Sequence, residues 1–228
     1  MVSAIIVAAG KGVRMNDTVR KQYLDLEGRP ILAYSLMAFD ECDKIDSIFL
    51  VIPKEDLDYC QKNILPLLKL QKKVNLVHGG AKRQDSVYNG LQALDDKTDT
   101  VVIHDGVRPF IRSEQLSACI IGAKETGACI LGVPASDTMK RVGKSGTIEK
   151  TLARDAVWLA QTPQAFQYHL IIKAHEKARR DGYSGTDDAL LVERLGVSVK
   201  MIKGSKSNIK ITSREDLKLA RAMLQAKN

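Results

Sequence analysis

This sequence has few aromatic residues, no paired cysteines and no long apolar run, and each of these absences argues against a class of protein. Aromatic residues make up 5% of its 228 residues and are not interleaved with basic ones, unlike the residues of a base-stacking nucleic-acid surface. The four cysteines form no CxxC pair, which argues against a zinc site or a disulfide framework. No apolar run approaches the roughly 20 residues that span a bilayer, and the first residues lack a signal-peptide pattern. We expect a cytoplasmic protein with reduced cysteines and no membrane partner.

Positive charge is in excess, because 35 Lys and Arg residues against 27 Asp and Glu give a net charge of +8. Such an excess indicates an anionic partner, either nucleic acid or a phosphorylated small molecule. A basic nucleic-acid-binding protein is the alternative from a different functional class. The sequence contains no recognised nucleic-acid-binding motif, so we expect no nucleic-acid partner and favour the small molecule.

Apolar runs of strand length alternate with helical periodicity along most of the chain. The predicted strands are residues 4–9, 47–52, 74–77, 100–104, 128–133, 198–202 and 208–212. The predicted helices are residues 30–39, a stretch to about 70, 83–94, 113–126, 167–181, 188–195 and 214–225, with Ser113, Thr186 and Ser213 as N-caps. This alternation predicts an α/β fold with a mostly parallel sheet and helices on both faces.

The alternation breaks between about residues 135 and 160. This segment is polar, contains Gly143 and Gly146, and alternates only weakly, which predicts an extended hairpin outside the core with its turn near Ser145. An isolated hairpin is marginally stable, and packing against another subunit is one way to stabilise it. The chain has no repeats, so we expect a single domain over residues 1–228 that carries this hairpin as an arm.

The first strand runs into a glycine-containing, cationic segment. Gly10 and Gly12 follow the strand, and Arg14 and Lys21 come soon after. The segment has neither the GKS or GKT ending of a P-loop nor the GxGxxG of a dinucleotide-binding enzyme, and Lys54, not an acidic residue, stands near the end of the second strand. A plain strand-to-helix turn is the alternative, but the two cations favour binding of a phosphate chain.

A carboxylate is predicted where the strand at 100–104 ends. Asp105 lies in the segment HDGVRP, and ligands of open α/β sheets bind outside the carboxyl ends of the strands. Facing phosphates there, Asp105 could hold Mg²⁺; it could also cap a turn or pair with Arg108. His104 is expected to point inward as a hydrogen-bonded structural residue.

Two further segments contain candidate binding residues, but their sequence patterns are less specific. Gly79 and Gly80 follow a strand and precede Arg83 and Ser86 in the first turns of a helix, an arrangement that a plain βα loop would also produce. Lys210 stands between two isoleucines, where its side chain either faces solvent or meets a bound anion.

Seven motifs occur in an order characteristic of one enzyme family: AAGKGVRM with KQYL, GGAKRQDSV with NGL, HDGVRPF, PASDTMKRV, WLAQTPQAF, GTDDA and NIKIT with EDL. Together they resemble the 2-C-methyl-D-erythritol 4-phosphate cytidylyltransferase family over essentially the whole chain. The resemblance implies a modified Rossmann-like nucleotidyltransferase fold. It also implies a homodimer in which the protruding β-arm reaches into the neighbouring subunit's site.

The resemblance further implies roles for individual residues. The nucleotide would be bound by Ala8, Ala9, Gly10, Gly12, Gly79, Gly80, Ser86 and Asp105. The catalytic residues would be Arg14, Lys21, Lys210 and Arg154, of which the first two contact the triphosphate. The acceptor would be held by Asp105, Thr138, Arg154, Thr186 and Lys210, with Thr138 and Arg154 supplied by the partner's arm. Asp105 would also hold Mg²⁺ or another divalent cation.

The implied reaction transfers a cytidylyl group from CTP to 2-C-methyl-D-erythritol 4-phosphate and releases pyrophosphate. Ribitol 5-phosphate cytidylyltransferase is the alternative within the superfamily and has a similar HD-VRPF segment. That branch tends to have a glycine where this chain has Ala9, and it differs after Thr138, so the isoprenoid enzyme is favoured. This chain departs from many family members at Gly106 and Val107, where two alanines are common, without affecting the neighbouring Asp105.

Overall fold

The computed structural model describes residues 1–10 and 19–226. Its strands are β1 (Val2–Val7), β2 (Asp25–Leu26), β3 (Arg29–Pro30), β4 (Ser47–Ile52), β5 (Val74–His78), β6 (Thr100–Asp105), β7 (Ala128–Pro134), β8 (Lys140–Val142), β9 (Ile148–Thr151), β10 (Trp158–Gln167) and β11 (Lys200–Lys203). Its helices are α1 (Ile31–Asp40), α2 (Leu57–Tyr59), α3 (Leu65–Leu68), α4 (Arg83–Gln92), α5 (Ser113–Thr126), α6 (Tyr168–Arg180), α7 (Asp188–Glu193) and α8 (Arg214–Gln225). The 3₁₀ turns are Lys21–Tyr23, Lys54–Asp56 and Arg154–Ala156, and a π-helical turn, Cys60–Ile64, joins α2 to α3.

Within the described residues, seven strands form the central sheet, in the order β11-β7-β10-β6-β1-β4-β5. All neighbouring pairs are parallel except those made by β10, which runs antiparallel between β6 and β7. The apolar runs of β1, β4 and β6 therefore occupy the centre of the sheet, where strands covered on both faces are expected. The predicted mostly parallel sheet is confirmed.

Helices cover both faces of this sheet, because alternate residues of each strand point to opposite sides. On one face, Ala4 and Ile6 of β1 pack with residues of α1 and α5, among them Leu36 and Ile120. On the other face, Ile5 and Val7 pack with residues of α4, α6 and α7. A smaller apolar cluster joins α8 to the loop after β6. The predicted helices on both faces are confirmed.

Strand β10 was not predicted; it begins at Trp158, near the end of the segment of about residues 135–160 that was predicted as the arm. The sequence of β10 places Gln161, Thr162, Pro163 and Gln164 in the middle of the strand, where an apolar run is expected. The polar side chains of Gln161, Thr162 and Gln164 are buried, and the register of the β10–β7 pairing shifts between Gln161 and Gln164. Gln161 bonds Ser205 O, Thr162 bonds residues of β6, and Gln164 bonds Asp187, so hydrogen bonds replace the apolar contacts of an ordinary central strand.

The prediction of a strand at residues 208–212 was wrong. The segment is irregular, and Ile211 N donates to Val107 O at 2.9 Å as a single backbone link to the loop after β6. Ile209 and Ile211 alternate with polar residues because they pack into the small cluster beneath α8, not because they belong to a sheet.

The predicted arm contains a two-stranded hairpin, β8 with β9, whose residues are all exposed. Gly146 occupies the turn with φ +79°, a conformation that glycine adopts without the steric cost of a side chain. The hairpin is therefore present within the predicted segment and lies outside the central sheet.

The two helices predicted to begin with serine caps differ in how they begin. Ser213 caps α8 by accepting from Asp216 N at 3.2 Å, as predicted. Ser113 is instead the first residue of α5, and the cap position is Arg112, which makes no side-chain cap.

All four cysteines are free and buried. Within residues 1–10 and 19–226, no helix has both the length and the apolar character required to cross a membrane.

Candidate active site

The carboxyl ends of β1, β5 and β6 meet at one edge of the sheet, because these strands are parallel. There they surround a cavity of about 320 Å³, which we call the glycine-side cavity. Among the described residues its lining consists of Val7, Ala8, Ala9, Gly10, Lys21, Gln22, Gly80, Ala81, Lys82, Arg83, Ser86, Asp105, Val107 and Lys210. Four of these side chains are cationic and one is acidic, so the cavity suits a polyanion.

One wall of this cavity depends on a close approach between the segments that follow β1 and β5. A Cβ atom at Gly79 would lie 2.2 Å from Ala9 Cβ and 3.1 Å from Ser86 Oγ, so the two segments approach each other only because residue 79 is a glycine. Ser86 Oγ accepts from Gly80 N at 3.0 Å and donates to Lys82 O at 3.1 Å. These bonds hold the Ser86 hydroxyl at the cavity wall.

Asp105 ends β6 and is the centre of a buried ion cluster. Its Oδ1 lies 2.9 Å from Arg83 Nε, and its Oδ2 lies 2.7 Å from Lys210 Nζ and 3.8 Å from Arg108 Nε. Burial raises the pKa of Asp105, but Arg83 and Lys210 lower it by more, so the pKa lies well below its usual value. Asp105 is therefore a fixed negative charge surrounded by three cations.

The backbone beside Asp105 is held by a chain of hydrogen bonds. Thr162 of β10 accepts from Asp105 N at 3.1 Å and donates from its hydroxyl to His104 Nδ1 at 3.0 Å. The opposite ring nitrogen of His104, Nε2, donates to Arg108 O at 3.2 Å. His104 is fully buried, as predicted, and burial lowers its pKa to about 4 although the Asp105 charge opposes this. A neutral imidazole thus supports the loop that carries Asp105.

A second cavity, of about 250 Å³, lies next to the first, and we call it the threonine-side cavity. Its lining among the described residues is Arg83, Asp105, Arg108, Ala160, Gln161, Thr162, Gln164, Thr186, Asp187 and Lys210. Arg83, Asp105 and Lys210 line both cavities. These three side chains therefore separate two spaces that are each large enough for part of a phosphorylated ligand.

Most of the residues predicted for the site come together at these cavities. Those lining the glycine-side cavity are Ala8, Ala9, Gly10, Lys21, Gly80, Ser86, Asp105 and Lys210. Thr186 lines the threonine-side cavity together with Asp105 and Lys210, and Gly79 contributes through its contact with Ala9. Gly12 and Arg14 lie outside the described residues.

The two residues predicted on the arm, Thr138 and Arg154, line neither cavity of their own chain. Arg154 Nη1 donates to Ser136 O at 3.2 Å within the arm. The prediction assigns both residues to a neighbouring subunit's site, so within one chain no contact with the cavities is expected of them.

Thr186 was predicted to cap α7, and this was wrong. The cap is Asp187, whose Oδ1 accepts from Leu190 N at 3.0 Å. The motif GTDDA offers two neighbouring residues that are good caps, and the backbone places the second one in the cap position. Thr186 is thereby left at the wall of the threonine-side cavity.

Several residues at the site were missed or given no role by the sequence analysis. Arg83 links Asp105 to Asp188, which is 1% exposed. Gln22 is 1% exposed at the glycine-side cavity, and neither polar atom of its side chain has a hydrogen-bond partner within residues 1–10 and 19–226. Gln22 could have been found as a polar residue beside Lys21, but the network around Arg83 joins residues 105 positions apart and has no local signal.

The donor set at Asp105 fits a divalent cation that is shared with a substrate. Within the part of the chain that the structure describes, no group of three or more His, Cys, Asp or Glu side chains could hold a metal. Mg²⁺, however, usually takes one or two carboxylates together with substrate phosphates. Asp105 supplies one such carboxylate at the wall of a cationic cavity, so a phosphate-borne Mg²⁺ fits and a purely protein-bound metal does not.

The mostly parallel sheet and the cationic, glycine-walled cavity at its carboxyl edge define a nucleotidyltransferase-like α/β fold. The family model for IspD, 2-C-methyl-D-erythritol 4-phosphate cytidylyltransferase, matches residues 2–226. The chain belongs to this family.

Individual relatives are similar to this chain over nearly their whole length. The chain is 47% identical over 224 residues to the 2-C-methyl-D-erythritol 4-phosphate cytidylyltransferase of Clostridioides difficile strain 630, covering 98% of this chain and 94% of that protein. The enzyme of the same name from Syntrophus aciditrophicus is 48% identical, with 98% and 96% covered. The crystal structure of 4-diphosphocytidyl-2C-methyl-D-erythritol synthase from Anaerococcus prevotii superposes with a TM-score of 0.88 at 37% identity, covering 98% and 96%.

Proposed function

We propose that this protein transfers a cytidylyl group from CTP to 2-C-methyl-D-erythritol 4-phosphate. The products are 4-diphosphocytidyl-2-C-methyl-D-erythritol and pyrophosphate, and the reaction is a step of the non-mevalonate isoprenoid pathway. Membership of the family supports this reaction. The structural observation that carries it is the pair of cavities that share Asp105, Arg83 and Lys210, because a group transfer needs two substrates that meet at one set of charges.

The chemistry requires cations more than it requires a base. A phosphate oxygen of the acceptor attacks the α-phosphorus of CTP, the new P–O bond forms, and the bond to the β-phosphate breaks as pyrophosphate leaves. A phosphate monoester carries about −1.5 to −2 charges at pH 7, so no side chain has to remove a proton from it. The difficulty lies in bringing two polyanions together and stabilising charge on the reacting phosphorus.

The glycine-side cavity suits the nucleotide. Its wall of Ala8, Ala9, Gly10 and Gly80 offers backbone groups without bulky side chains, and Ser86 Oγ is held there by two hydrogen bonds. In this proposal Lys21 contacts the triphosphate from the same cavity, and Arg14 does so from the segment that follows Gly10. Gly12 and Gly79 complete the set of nucleotide-binding residues.

The threonine-side cavity suits the acceptor. Lys210 Nζ lies at the partition between the two cavities, where it can neutralise the phosphate that attacks CTP. Thr186 and Asp105 offer a hydroxyl and a carboxylate that can bind the hydroxyl groups of the methylerythritol.

The arm suits a neighbouring subunit. Val142 and Ile148 on the arm, and Trp158 and Leu159 at its base, are exposed large apolar side chains, and exposed apolar surface of this kind is typical of a protein–protein interface. We propose a homodimer, built from one domain of residues 1–228 in each chain, in which Thr138 and Arg154 of the arm reach the acceptor in the neighbouring subunit.

A divalent cation, Mg²⁺ in the simplest case, would be held by Asp105 and the phosphates. When bound it would supply charge neutralisation at the triphosphate. The neighbouring Arg83 and Lys210 hold the Asp105 carboxylate in position, so its oxygens are fixed at the cavity wall. We propose a cytoplasmic enzyme whose partners are these small molecules, with no membrane or nucleic-acid partner.

The test is direct product analysis. The purified protein is incubated with CTP carrying label on the α-phosphate, with Mg²⁺, and with 2-C-methyl-D-erythritol 4-phosphate. The label is expected to move into a product with a diphosphate bridge, visible by ³¹P NMR, in equal amount to the pyrophosphate released. Pyrophosphate release that does not depend on the acceptor, or label that stays in CTP, would contradict the proposed function.

A further inference from the structure

Arg83 holds an unusual position among the cations of the site. It lies in the first turn of α4, it lines both cavities, and its guanidinium lies between two carboxylates. Nε is 2.9 Å from Asp105 Oδ1, and Nη1 is 2.8 Å from Asp188 Oδ2. The remaining nitrogen, Nη2, is buried and has no hydrogen-bond partner among the described residues. A planar guanidinium held at two corners has its third corner fixed in direction.

Asp188 is the less expected of the two carboxylates. It is 1% exposed and lines neither cavity, so it does not face a substrate. Its other oxygen, Oδ1, accepts from Nε2 of His175, which is fully buried in α6, at 3.2 Å. Its backbone nitrogen donates to Gln164 Oε1 of β10 at 3.2 Å. Asp188 is therefore held by residues of α4, α6 and β10, and it bonds the Arg83 guanidinium without itself lining either cavity.

Burying an ionised carboxylate costs free energy that apolar packing at the same place would avoid. A second anchor for Arg83 has a physical use, however, because Asp105 already pairs with Lys210 and lies 3.8 Å from Arg108. An arginine held by Asp105 alone would share its partner with two other cations. Asp188 gives the guanidinium a second fixed partner, which it does not share with Lys210 or Arg108.

We propose that Asp188, supported by His175, is a positioning residue that holds the Arg83 guanidinium at the wall shared by the two cavities, so that this guanidinium donates to a phosphate oxygen of the reacting substrates. The inference rests on the proposed function, since it places two phosphorylated ligands in the cavities that Arg83 lines. It assigns no contact between substrate and Asp188 or His175.

The first test compares steady-state kinetics of variants. Asp188→Asn removes the charge with little change of shape, and we expect kcat to fall about tenfold to a hundredfold, as for partners behind a first layer of ligands, with KM for CTP changing much less. Asp181→Asn is the matched control, because Asp181 pairs with Lys177 and Arg194 at the surface; its kcat should equal that of the wild type. An Asp188→Asn enzyme with wild-type kcat overturns the proposal.

The second test separates positioning from a purely structural role. In an Arg83→Gln background, Asp188→Asn should cause no further loss of kcat, since the residue it acts through is gone. His175→Gln, which retains a donor near the position of Nε2, should keep more of kcat than His175→Leu. Full additivity of the Arg83 and Asp188 losses, or equal losses in the two His175 variants, overturns the proposal.

The third measurement does not depend on activity. With ¹⁵N-labelled arginine, the Nε–H signal of Arg83, identified by its loss in Arg83→Lys, should shift in Asp188→Asn and not in Asp181→Asn. If the wild type forms no product, the proposed function fails, and this signal still decides the positioning: an Arg83 resonance unmoved by Asp188→Asn overturns it.

Discussion

The neutral state of His104 has a consequence for stability that can be measured. Burial lowers the pKa of His104 from 6.5 to about 4, so between these pH values the folded protein binds fewer protons at this ring than the unfolded chain. The free energy of unfolding therefore rises with pH through this window. The contribution of His104 to stability is fully present above pH 6.5. Between pH 7.5 and pH 5 this ring alone should cost about 2 kcal/mol of stability.

The range from pH 7.5 to pH 5 separates the titration of histidines from that of the carboxyl groups of Asp105 and Asp188. The pKa values of Asp105 and Asp188 are also lowered, from 3.8, but a carboxyl whose unfolded pKa is that low loses its contribution only as the pH falls further. Urea denaturation at pH 5, 6 and 7.5, at one protein concentration, measures the free energy of unfolding directly.

His104→Gln should remove the part of the pH dependence that belongs to this ring, whatever it does to the stability at pH 7.5. His169→Gln, at an exposed histidine, is the control and should retain the wild-type slope. The reasoning is refuted if wild type and His104→Gln lose the same free energy between pH 7.5 and pH 5, because the buried ring would then not be held neutral.

Three further predictions concern the reaction. Lys21→Ala should lower kcat by two or more orders of magnitude while the circular dichroism spectrum is unchanged, because loss of one donor to the transition state costs about 2.7–4 kcal/mol; near-normal turnover would remove Lys21 from the mechanism. Asp105→Asn should move the Mg²⁺ titration of activity to higher concentration, and an unchanged titration argues against its role at the metal. Mixing Arg154→Ala with Lys21→Ala subunits should restore activity, since one site of the heterodimer is intact; no recovery would mean that each site is built within one chain.

The parallel part of the fold was predictable because it is encoded locally. Strands such as β4 and β6 are short apolar runs bounded by polar residues, and the strand at 47–52 was predicted with its observed bounds. Strand β10 was not predicted because polar side chains with buried hydrogen bonds occupy positions where apolar residues are expected. The Asn208 amide, for example, donates to Thr162 O at 2.9 Å, a contact that spacing along the chain does not reveal.

The site was predictable to a similar extent. Residues that directly follow strands, such as Gly80 and Asp105, come together at the carboxyl edge of the sheet because parallel strands end on the same side. Lys210 was predicted as a possible anion-binding residue because it is a cation between two isoleucines. It was expected on a strand, but it lies in an irregular segment, from which its Nζ reaches Asp105 Oδ2 at 2.7 Å. The contact of Arg83 with Asp188 depends on how α6 packs against both α4 and α7, and tertiary packing of this kind leaves no pattern in the sequence.

The choice of acceptor is the central claim, and one comparison tests it most directly. Pyrophosphate release from CTP and Mg²⁺ is measured with 2-C-methyl-D-erythritol 4-phosphate and, separately, with ribitol 5-phosphate, and ATP, GTP and UTP replace CTP in parallel reactions. We predict rapid release with CTP and the methylerythritol phosphate, and a much lower kcat/KM for every other pair. A kcat/KM for ribitol 5-phosphate equal to or above that for 2-C-methyl-D-erythritol 4-phosphate would contradict the proposed acceptor.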